Sequence, residues 1–436
     1  MTEPTKEKAN VPNISRNTDK LTGLYLREPT FELIKNTIVN NKDVDYLILY
    51  FDVKDFKIVN DVYGSDFGDM ALKKIADWIR TEFSDKADVI GRLSGDTFVV
   101  CLPEDKFDDT RVDKGLVNFS VSKDDMTQYF LIHVGAYSVS KEEKDDPNIA
   151  IILDRARMAL STIKDQYQIH IAHYNKQIRE DLLWEQKISG ELENAIVEKQ
   201  IVPFLQPIAD SNGKIVGAEA LVRWIHPQKG YMPPSKFIPI FEKNGMISEV
   251  DKYMWNAVCE ILKQWEKENR DYFISVNISP LDFYGMDVSK EIKEIVKKHG
   301  VNPHKLRLEI TETVMMVDAE NRFKKLNELR DAGFIVEMDD FGSGYSSLNL
   351  LKDMPVDVIK IDMVFLYNTK NSEKARTIVQ NIIDLSKKLG MCSLSEGVET
   401  KRQYEVLNEM GCELFQGYYF SKPLPKNMFE EKFFAV

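Results

Sequence analysis

Hydrophobic and polar positions alternate in two rhythms along this chain. From about residue 200 onward, short apolar runs recur, and each closes on a polar or charged residue. Phe273-Ile274-Ser275-Val276 is followed by Asn277, Leu306-Arg307-Leu308 by Glu309, and Phe334-Ile335-Val336 by Asp339-Asp340. Val358-Ile359 precedes Lys360, Met391-Cys392-Ser393-Leu394 precedes Glu396, and Leu414-Phe415 precedes Gln416. Charged amphipathic stretches such as Arg322–Asp331 and Ala375–Leu389 lie between the runs. Short apolar runs read as buried strands and the longer charged stretches as helices, so the rhythm predicts a repeated strand–helix unit. A (β/α)8 barrel needs roughly 250 residues, and the remaining length fits one.

Residues 19–175 read as a separate α/β domain. Tyr46–Phe51 is an apolar run ending at Asp52, and Leu72, Ile75, Ala76, Trp78 and Ile79 mark one face of a helix after Gly68. Val89–Leu93 and Phe98–Leu102 flank Ser94-Gly95-Asp96-Thr97, which predicts a β-hairpin. Phe130–Ala136 is a further predicted strand. Over 176–198, Ile178, Leu182, Ile188, Leu192 and Ile196 recur at roughly helical spacing among many charges. That helix joins the two domains, either as a conduit for a signal or as a plain surface helix packed on its neighbour. The expected organisation is a loose polar tail over 1–18, an α/β domain over 19–175, a linker helix over 176–190 and a barrel over 191–436.

Composition narrows the function. The 436 residues are 43% hydrophobic and 10% aromatic, which reads as globular. A net charge of −12 argues against affinity for a nucleic-acid polymer, whose phosphates need a basic stripe. It leaves room for a small phosphorylated ligand, because a metal ion masks acidic residues at a site. The four cysteines are widely spaced, and the six histidines form no HExxH pair, which weakens a zinc-hydrolase reading. With no apolar run of about 18 residues and a polar N-terminus, the expectation is a reduced cytoplasmic protein with no membrane partner.

The strand ends carry the chemistry. In a barrel of this kind the site lies at the C-terminal ends of the strands, so Glu219, Asn277, Glu309, Asp339, Asp340, Lys360, Asp362 and Glu396 would converge on one mouth. So many carboxylates together repel unless a cation sits among them. Hard oxygen ligands suit Mg2+ or Mn2+, and the adjacent pair Asp339-Asp340 can serve two ions in a phosphoryl displacement. Taken singly, each element has a plainer reading: a solvated Asp-Asp turn, an asparagine satisfying backbone, a surface Lys-x-Asp pair. Their shared position at the ends of repeated apolar runs lifts them above it.

The ordered motifs resemble the EAL domain family. Gln206-Pro207-Ile208, Glu219-Ala220-Leu221-Val222-Arg223-Trp224 and Phe237-Ile238-Pro239 come first, then Ser275-Val276-Asn277-Ile278-Ser279 and Glu309-Ile310-Thr311-Glu312. Asp339-Asp340-Phe341-Gly342-Ser343-Gly344-Tyr345-Ser346-Ser347-Leu348, Lys360-Ile361-Asp362, Glu396-Gly397-Val398-Glu399 and Gln416-Gly417-Tyr418-Tyr419 complete the order. The resemblance implies hydrolysis of cyclic di-GMP to its linear dinucleotide with two Mg2+ or Mn2+ ions. It implies metal ligation by Glu219, Asn277, Glu309, Asp339 and Asp340, with Lys360 engaging the water and Glu396 supporting the metal–water centre. It further implies that Glu312 anchors the loop after Asp339-Asp340, that Gln206, Leu221, Arg223, Asp362, Glu399 and Gln416 line the substrate groove, and that the protein is a homodimer. Ser343 and Ser395 depart from the commoner Thr and Ala without removing a ligand. The alternative within the same resemblance is a receptor that binds cyclic di-GMP without turnover; receptor-type members usually lose ligands, and this chain keeps them.

The N-terminal half resembles a GGDEF, or diguanylate cyclase, domain through Asp19-x-Leu21-Thr22-Gly23-Leu24, Asp52, Phe56-Lys57, Asn60-Asp61, Tyr63-Gly64 and Gly68-Asp69. Its signature turn reads Ser94-Gly95-Asp96-Thr97-Phe98, so the first glycine and the acidic fourth position are gone. Ser65 stands for the family's usual His, and Asp85 for the Arg of the inhibitory Arg-x-x-Asp, although Asp88 remains. Losing the fourth-position carboxylate removes metal-assisted attack by a ribose hydroxyl, so no cyclase activity is expected. Asp52, Asn60, Asp69 and Asp96 remain, which leaves two readings open: GTP binds and tunes the hydrolase, or the domain is a relic that supports dimerisation.

Overall fold

The computed structural model describes residues 17–124, 126–315, 318–339, 341, 354–362 and 372–434. They divide into two compact units between Trp184 and Glu185. In the first, α1 (Arg27–Asn40), β1 (Tyr46–Val53), α2 (Phe56–Tyr63), α3 (Ser65–Phe83), β2 (Val89–Ser94) and β3 (Thr97–Pro103) are followed by α4 (Asp109–Leu116). Then come β4 (Ser120–Lys123), β5 (Met126–Tyr129), β6 (Ile132–Ser138), α5 (Ile149–Ser161) and β7 (Ile171–His173). The main sheet runs β2-β3-β1-β6-β7. Its central strand β1 is apolar on both faces, as a strand covered on both sides must be. Leu47, Leu49 and Phe51 pack with Leu72, Ile75, Ala76, Ile79 and Phe83 of α3 on one face, and Ile48 packs with Ile34, Ile38 and Ile152 on the other. The predicted hairpin is β2–β3, whose register shifts between Arg92 and Ser94 at the signature turn.

The helix α6 (Lys176–Val197) runs unbroken through the division between the units. The second unit opens with β8 (Ile201–Asp210), β9 (Ile215–His226), β10 (Gly230–Met232), α7 (Ile238–Asn244) and α8 (Ile247–Lys267). Next are β11 (Phe273–Ile278), α9 (Asp282–Gly285), α10 (Val288–His299), β12 (Leu306–Thr311), α11 (Ala319–Asp331), β13 (Ile335–Asp339) and β14 (Val358–Asp362). The unit ends with α12 (Ser372–Lys388), β15 (Cys392–Glu396), α13 (Lys401–Glu409), β16 (Leu414–Gln416), β17 (Leu424–Pro425) and α14 (Lys426–Phe434). Strands β9, β11, β12, β13, β14, β15 and β16 pair in sequence, and β8 bonds to both β16 and β9, which closes an eight-stranded barrel.

One feature departs from a plain (β/α)8 barrel: β8 is antiparallel to both of its neighbours. The cause is the connection to β9. Asp210 accepts from the backbone N–H groups of Asn212 and Lys214, and Gly213 takes a φ of 76°, so the chain turns back within a few residues. A parallel partner would need a crossover of a dozen residues or more.

Period-2 alternation fills the barrel in layers. Ile208, Phe273, Val358, Leu394 and Leu414 form an apolar floor. Above it Ser275 Oγ donates to Glu337 at 2.7 Å and Arg307 Nη1 to the same carboxylate at 2.9 Å, with the Arg307 guanidinium against the Phe273 ring. Residues two positions further along β11, β12 and β13 are Asn277, Glu309 and Asp339, so the same alternation carries them to the mouth. Among the described residues, no helix is long and apolar enough to cross a membrane.

Candidate active site

Lys360 stands at the centre of the barrel mouth, 1% exposed, on β14. Its ammonium contacts Glu309, and lies 2.7 Å from Glu396, 3.5 Å from Asp339 and 3.8 Å from Glu219. Four carboxylates from four strands thus surround one cation. Their field holds the Lys360 ammonium charged, well above the usual lysine range, despite the opposing cost of burial. One lysine does not balance them. Burial, and then Glu219, Asp339 and Glu396, push Glu309 well above the carboxylate range. Burial, with Asp339 and Glu219, lifts Glu396 to about 8 against the pull of Lys360.

The donor set fits a divalent cation. Glu219, Glu309 and Glu396 each offer a carboxylate oxygen within 4.8 Å of the other two. Glu309 Oε2 is buried and has no hydrogen-bond partner among the described residues, an expensive state for a carboxylate oxygen unless a cation takes it. Asn277 joins this edge through Nδ2, which donates to Glu219 Oε1 at 3.4 Å. Asp340 lies outside the described residues.

A cavity of about 340 Å3 opens beside these groups, lined by Gln206, Glu219, Leu221, Asp362, Glu396, Gly397, Glu399, Gln416, Gly417 and Tyr418. Of the groove residues expected from the sequence, Gln206, Leu221, Asp362, Glu399 and Gln416 meet here. Gln416 Nε2 reaches Glu219 Oε2 at 2.5 Å and Gln206 Oε1 at 3.2 Å, which ties the first, second and last barrel strands together. Arg223 is not part of this lining. It sits two residues beyond Leu221 on β9, its guanidinium 5.8 Å from the Phe204 ring and its Nε buried without a hydrogen-bond partner among the described residues. Glu312 stands outside the lining too, buried in the 3-10 turn Glu312–Met315 directly after β12.

Three wall residues, Gly397, Gly417 and Tyr418, were absent from the sequence-based set. Tyr418 is 56% exposed, with the Lys422 ammonium over its ring. Gly417 lets that strand end approach the Glu396–Glu399 loop: a Cβ there would lie 2.1 Å from the Val398 carbonyl oxygen. Gly417 and Tyr418 fall inside the Gln416-Gly417-Tyr418-Tyr419 motif and Gly397 inside Glu396-Gly397-Val398-Glu399, so proximity in sequence was the available signal.

The first unit has a smaller acidic site. Asp52, near the end of β1, and Asp96, in the β2–β3 turn, are raised by burial, and Asp96 further raises Asp52 while Lys164 pulls both down. Arg92 fastens the turn: Nε and Nη2 donate to the Gly95 carbonyl and Nη1 to Asp19 at 2.8 Å. Thr97 is buried and hydrogen-bonded to the Tyr50 hydroxyl, so the position that lost its carboxylate is now held by packing. Asn60 lies across Gly68, where a Cβ would come within 1.9 Å of its Oδ1. Asp69 follows on α3.

Comparison with known proteins agrees with this geometry. The family model for the EAL domain matches residues 189–423, and that for "Diguanylate cyclase, GGDEF domain" matches residues 16–169. The chain is 30% identical over 391 residues to the "Bifunctional diguanylate cyclase/cyclic di-GMP phosphodiesterase MucR" of Pseudomonas aeruginosa, covering 88% of this chain and 56% of that protein. It is 30% identical over 420 residues to the "Cyclic di-GMP phosphodiesterase NbdA" of the same organism, covering 95% and 53%. The chain spans about half the length of these curated relatives. Among solved structures, "PaMucR Phosphodiesterase, c-di-GMP complex" superposes with a TM-score of 0.53 at 33% identity, covering 56% of this chain and 99% of that one.

Proposed function

The chain belongs to the EAL domain family, with a GGDEF domain in tandem, and from that premise we propose that it hydrolyses cyclic di-GMP to linear 5'-pGpG. The observation that carries the reading is the ring of Glu219, Glu309, Asp339 and Glu396 around Lys360, beside a cavity with room for a nucleotide. The phosphodiesterase relative and the superposed complex are both named for cyclic di-GMP.

In this reading Glu219, Asn277, Glu309, Asp339 and Asp340 would hold two Mg2+ or Mn2+ ions. Such ions, when bound, supply charge neutralisation at both the attacking and the leaving oxygen. The chain's own groups do the rest. Lys360 Nζ donates to the attacking water, and the Glu396 carboxylate accepts from that water's other side. Gln206, Asp362, Glu399 and Gln416 hold the dinucleotide, Leu221 and Tyr418 offer apolar surface to a base, and Arg223 swings from Phe204 to a phosphate. Water oxygen bonds to phosphorus as the bond to the ribose 3' oxygen breaks. The displaced proton ends on that 3' oxygen, leaving a 5' phosphate. Glu312 anchors the loop after Asp339-Asp340, and a homodimer is part of the same proposal.

The GGDEF unit is proposed to lack cyclase activity and to bind GTP at Asp52, Asn60, Asp69 and Asp96 as a regulator of hydrolysis. Support comes from Thr97, whose hydroxyl is spent on Tyr50, and from the retained Asp52–Asp96 pair. The test incubates the purified full chain with cyclic di-GMP and Mg2+, Mn2+ or EDTA, with and without GTP, and separates products by chromatography beside Glu219→Ala. Metal-dependent pGpG, lost in the variant, supports the hydrolase. Binding without turnover under either metal makes the chain a receptor, and indifference to GTP removes the regulatory role.

A further inference from the structure

Behind the strand end that carries Asn277, two aspartates meet in the protein interior. Asp282 of α9 is fully buried and Asp251 of α8 is 9% exposed. Both accept from one donor, the Ser279 backbone N–H, so the two carboxyl groups lie against each other. Two carboxyls this close in the interior cannot both ionise cheaply, and one proton shared between them relieves the repulsion. The same pair grips the backbone: the Ser279 N–H donates to Asp282 Oδ2 at 3.0 Å and to Asp251 Oδ2 at 3.3 Å. Ser248 Oγ donates to Asp282 Oδ1 at 2.5 Å. One helical turn along α8, Trp255 Nε1 donates to the Asn277 carbonyl at 3.0 Å. The stretch from Asn277 to Ser279 is therefore held at two points by α8, and its side chain reaches Glu219 from there.

We propose that Asp251 and Asp282 act as a proton-sharing pair that positions Asn277 in the barrel mouth and releases it when the shared proton is lost. They are positioning residues, since neither lines the cavity or joins the carboxylate ring. The proposal rests on the reading of Asn277 as a metal ligand.

The surroundings favour retention of the proton. Glu242 of α7 faces Asp251 and adds to its charge, and burial raises Glu242 itself. Lys252 is the nearby cation, and it is shared with Glu291 of α10 at 3.0 Å. The Arg322 guanidinium of α11 lies against the rings of Phe283 and Tyr284, the next two residues of α9. Three carboxyls against one shared ammonium cannot all ionise cheaply in the interior. Burial and then Asp282 raise Asp251, and burial raises Asp282. For carboxyls raised in the folded state, the favourable contribution is complete below the unfolded range and is lost as pH climbs through the raised value. The Ser279 N–H favours each ionised carboxyl taken singly, so the grip weakens toward alkaline pH through the mutual repulsion that drives the two apart once both are ionised.

Asp282→Asn tests this directly. Its amide donates to Asp251 and its carbonyl accepts from Ser279, so it mimics the shared-proton state at every pH. Hydrogen exchange of a peptide covering residues 277–285 is followed in the metal-free full chain at about pH 6 and about pH 9, comparing wild type and variant at each pH so that intrinsic exchange cancels. We expect similar protection at the lower pH, and about tenfold more protection in the variant at the higher pH. Mn2+ affinity, read by calorimetry, should follow the same pattern. Asp282→Ala should lose protection at both pH values. Equal pH responses in wild type and Asp282→Asn would overturn the proposal. Exchange is read without turnover, so the result stands apart from the outcome of the hydrolysis assay.

Discussion

The barrel mouth and the signature turn both gather carboxylates near strand ends, yet they treat the charge differently. In the mouth, four carboxylates close around Lys360, and Glu309 keeps one buried oxygen without a hydrogen-bond partner among the described residues. In the turn only Asp52 and Asp96 face each other, and the position beside them carries Thr97 bonded to Tyr50. The first arrangement is overcharged and built to take more cation. The second has one acidic position turned over to packing. A site kept for chemistry stays electrostatically uncomfortable, whereas a site relieved of it relaxes into ordinary hydrogen bonds.

The largest effect expected from this contrast is on catalysis. Glu309→Gln should lower cyclic di-GMP hydrolysis by more than about 100-fold, the upper range for partners one shell further out. The measurement is product formation at saturating Mn2+, and retention of most activity would place the metals elsewhere. Next is the counter-ion. Lys360→Met strands the carboxylates in the interior, so urea denaturation in EDTA should show a loss of ~3–5 kcal/mol. An unchanged midpoint would mean that water already screens the ring.

Much of the mouth was legible because each strand ends on its functional residue. Asn277, Glu309, Asp339, Lys360 and Glu396 close runs whose apolar character announced a strand, and the barrel rule placed their ends together. The layer beneath was not read. Neither Arg307 nor Glu337 stood among the predicted site residues, although both lie two residues before one and share its face. Strand β8 was hidden by Pro203 and Pro207, which demote a run to edge or non-strand by the usual signal. The strand β9 runs on past Glu219 to His226 and carries Arg223, whose guanidinium rests on Phe204, a choice of side-chain direction that no spacing encodes.

Smaller effects sharpen the contrast from the other side. Thr97→Glu puts a carboxylate back where Tyr50 now takes the hydrogen bond. We expect ~1–3 kcal/mol of destabilisation in the first unit's unfolding transition and no cyclic di-GMP from GTP, because Ser94 remains. Cyclase activity in that single variant would show that the turn had not relaxed. The smallest effect is a pH shift. Asp52 and Asp96 are raised in the folded state, so their contribution is complete at acid pH and lost as pH rises through the raised values. Asp96→Asn should therefore modestly raise the first unit's Tm at neutral pH in EDTA and leave it unchanged in acid. A lower Tm at neutral pH would mean that Asp96 is needed for its bonds to the turn.

The closing strand also sets an order of assembly. Because β8 seals against β16, the seam joins Ile208 to Gln416, and Gln416 completes the contacts of Glu219 and Gln206. A nascent chain emerging from the ribosome holds β8 and β9 long before their last neighbour exists, and must close that long loop before the mouth is whole. Premature termination between β15 and β16 leaves an open sheet with exposed edges at β8 and β15 and no finished site, so such a shortened chain is an aggregation hazard rather than a weaker enzyme.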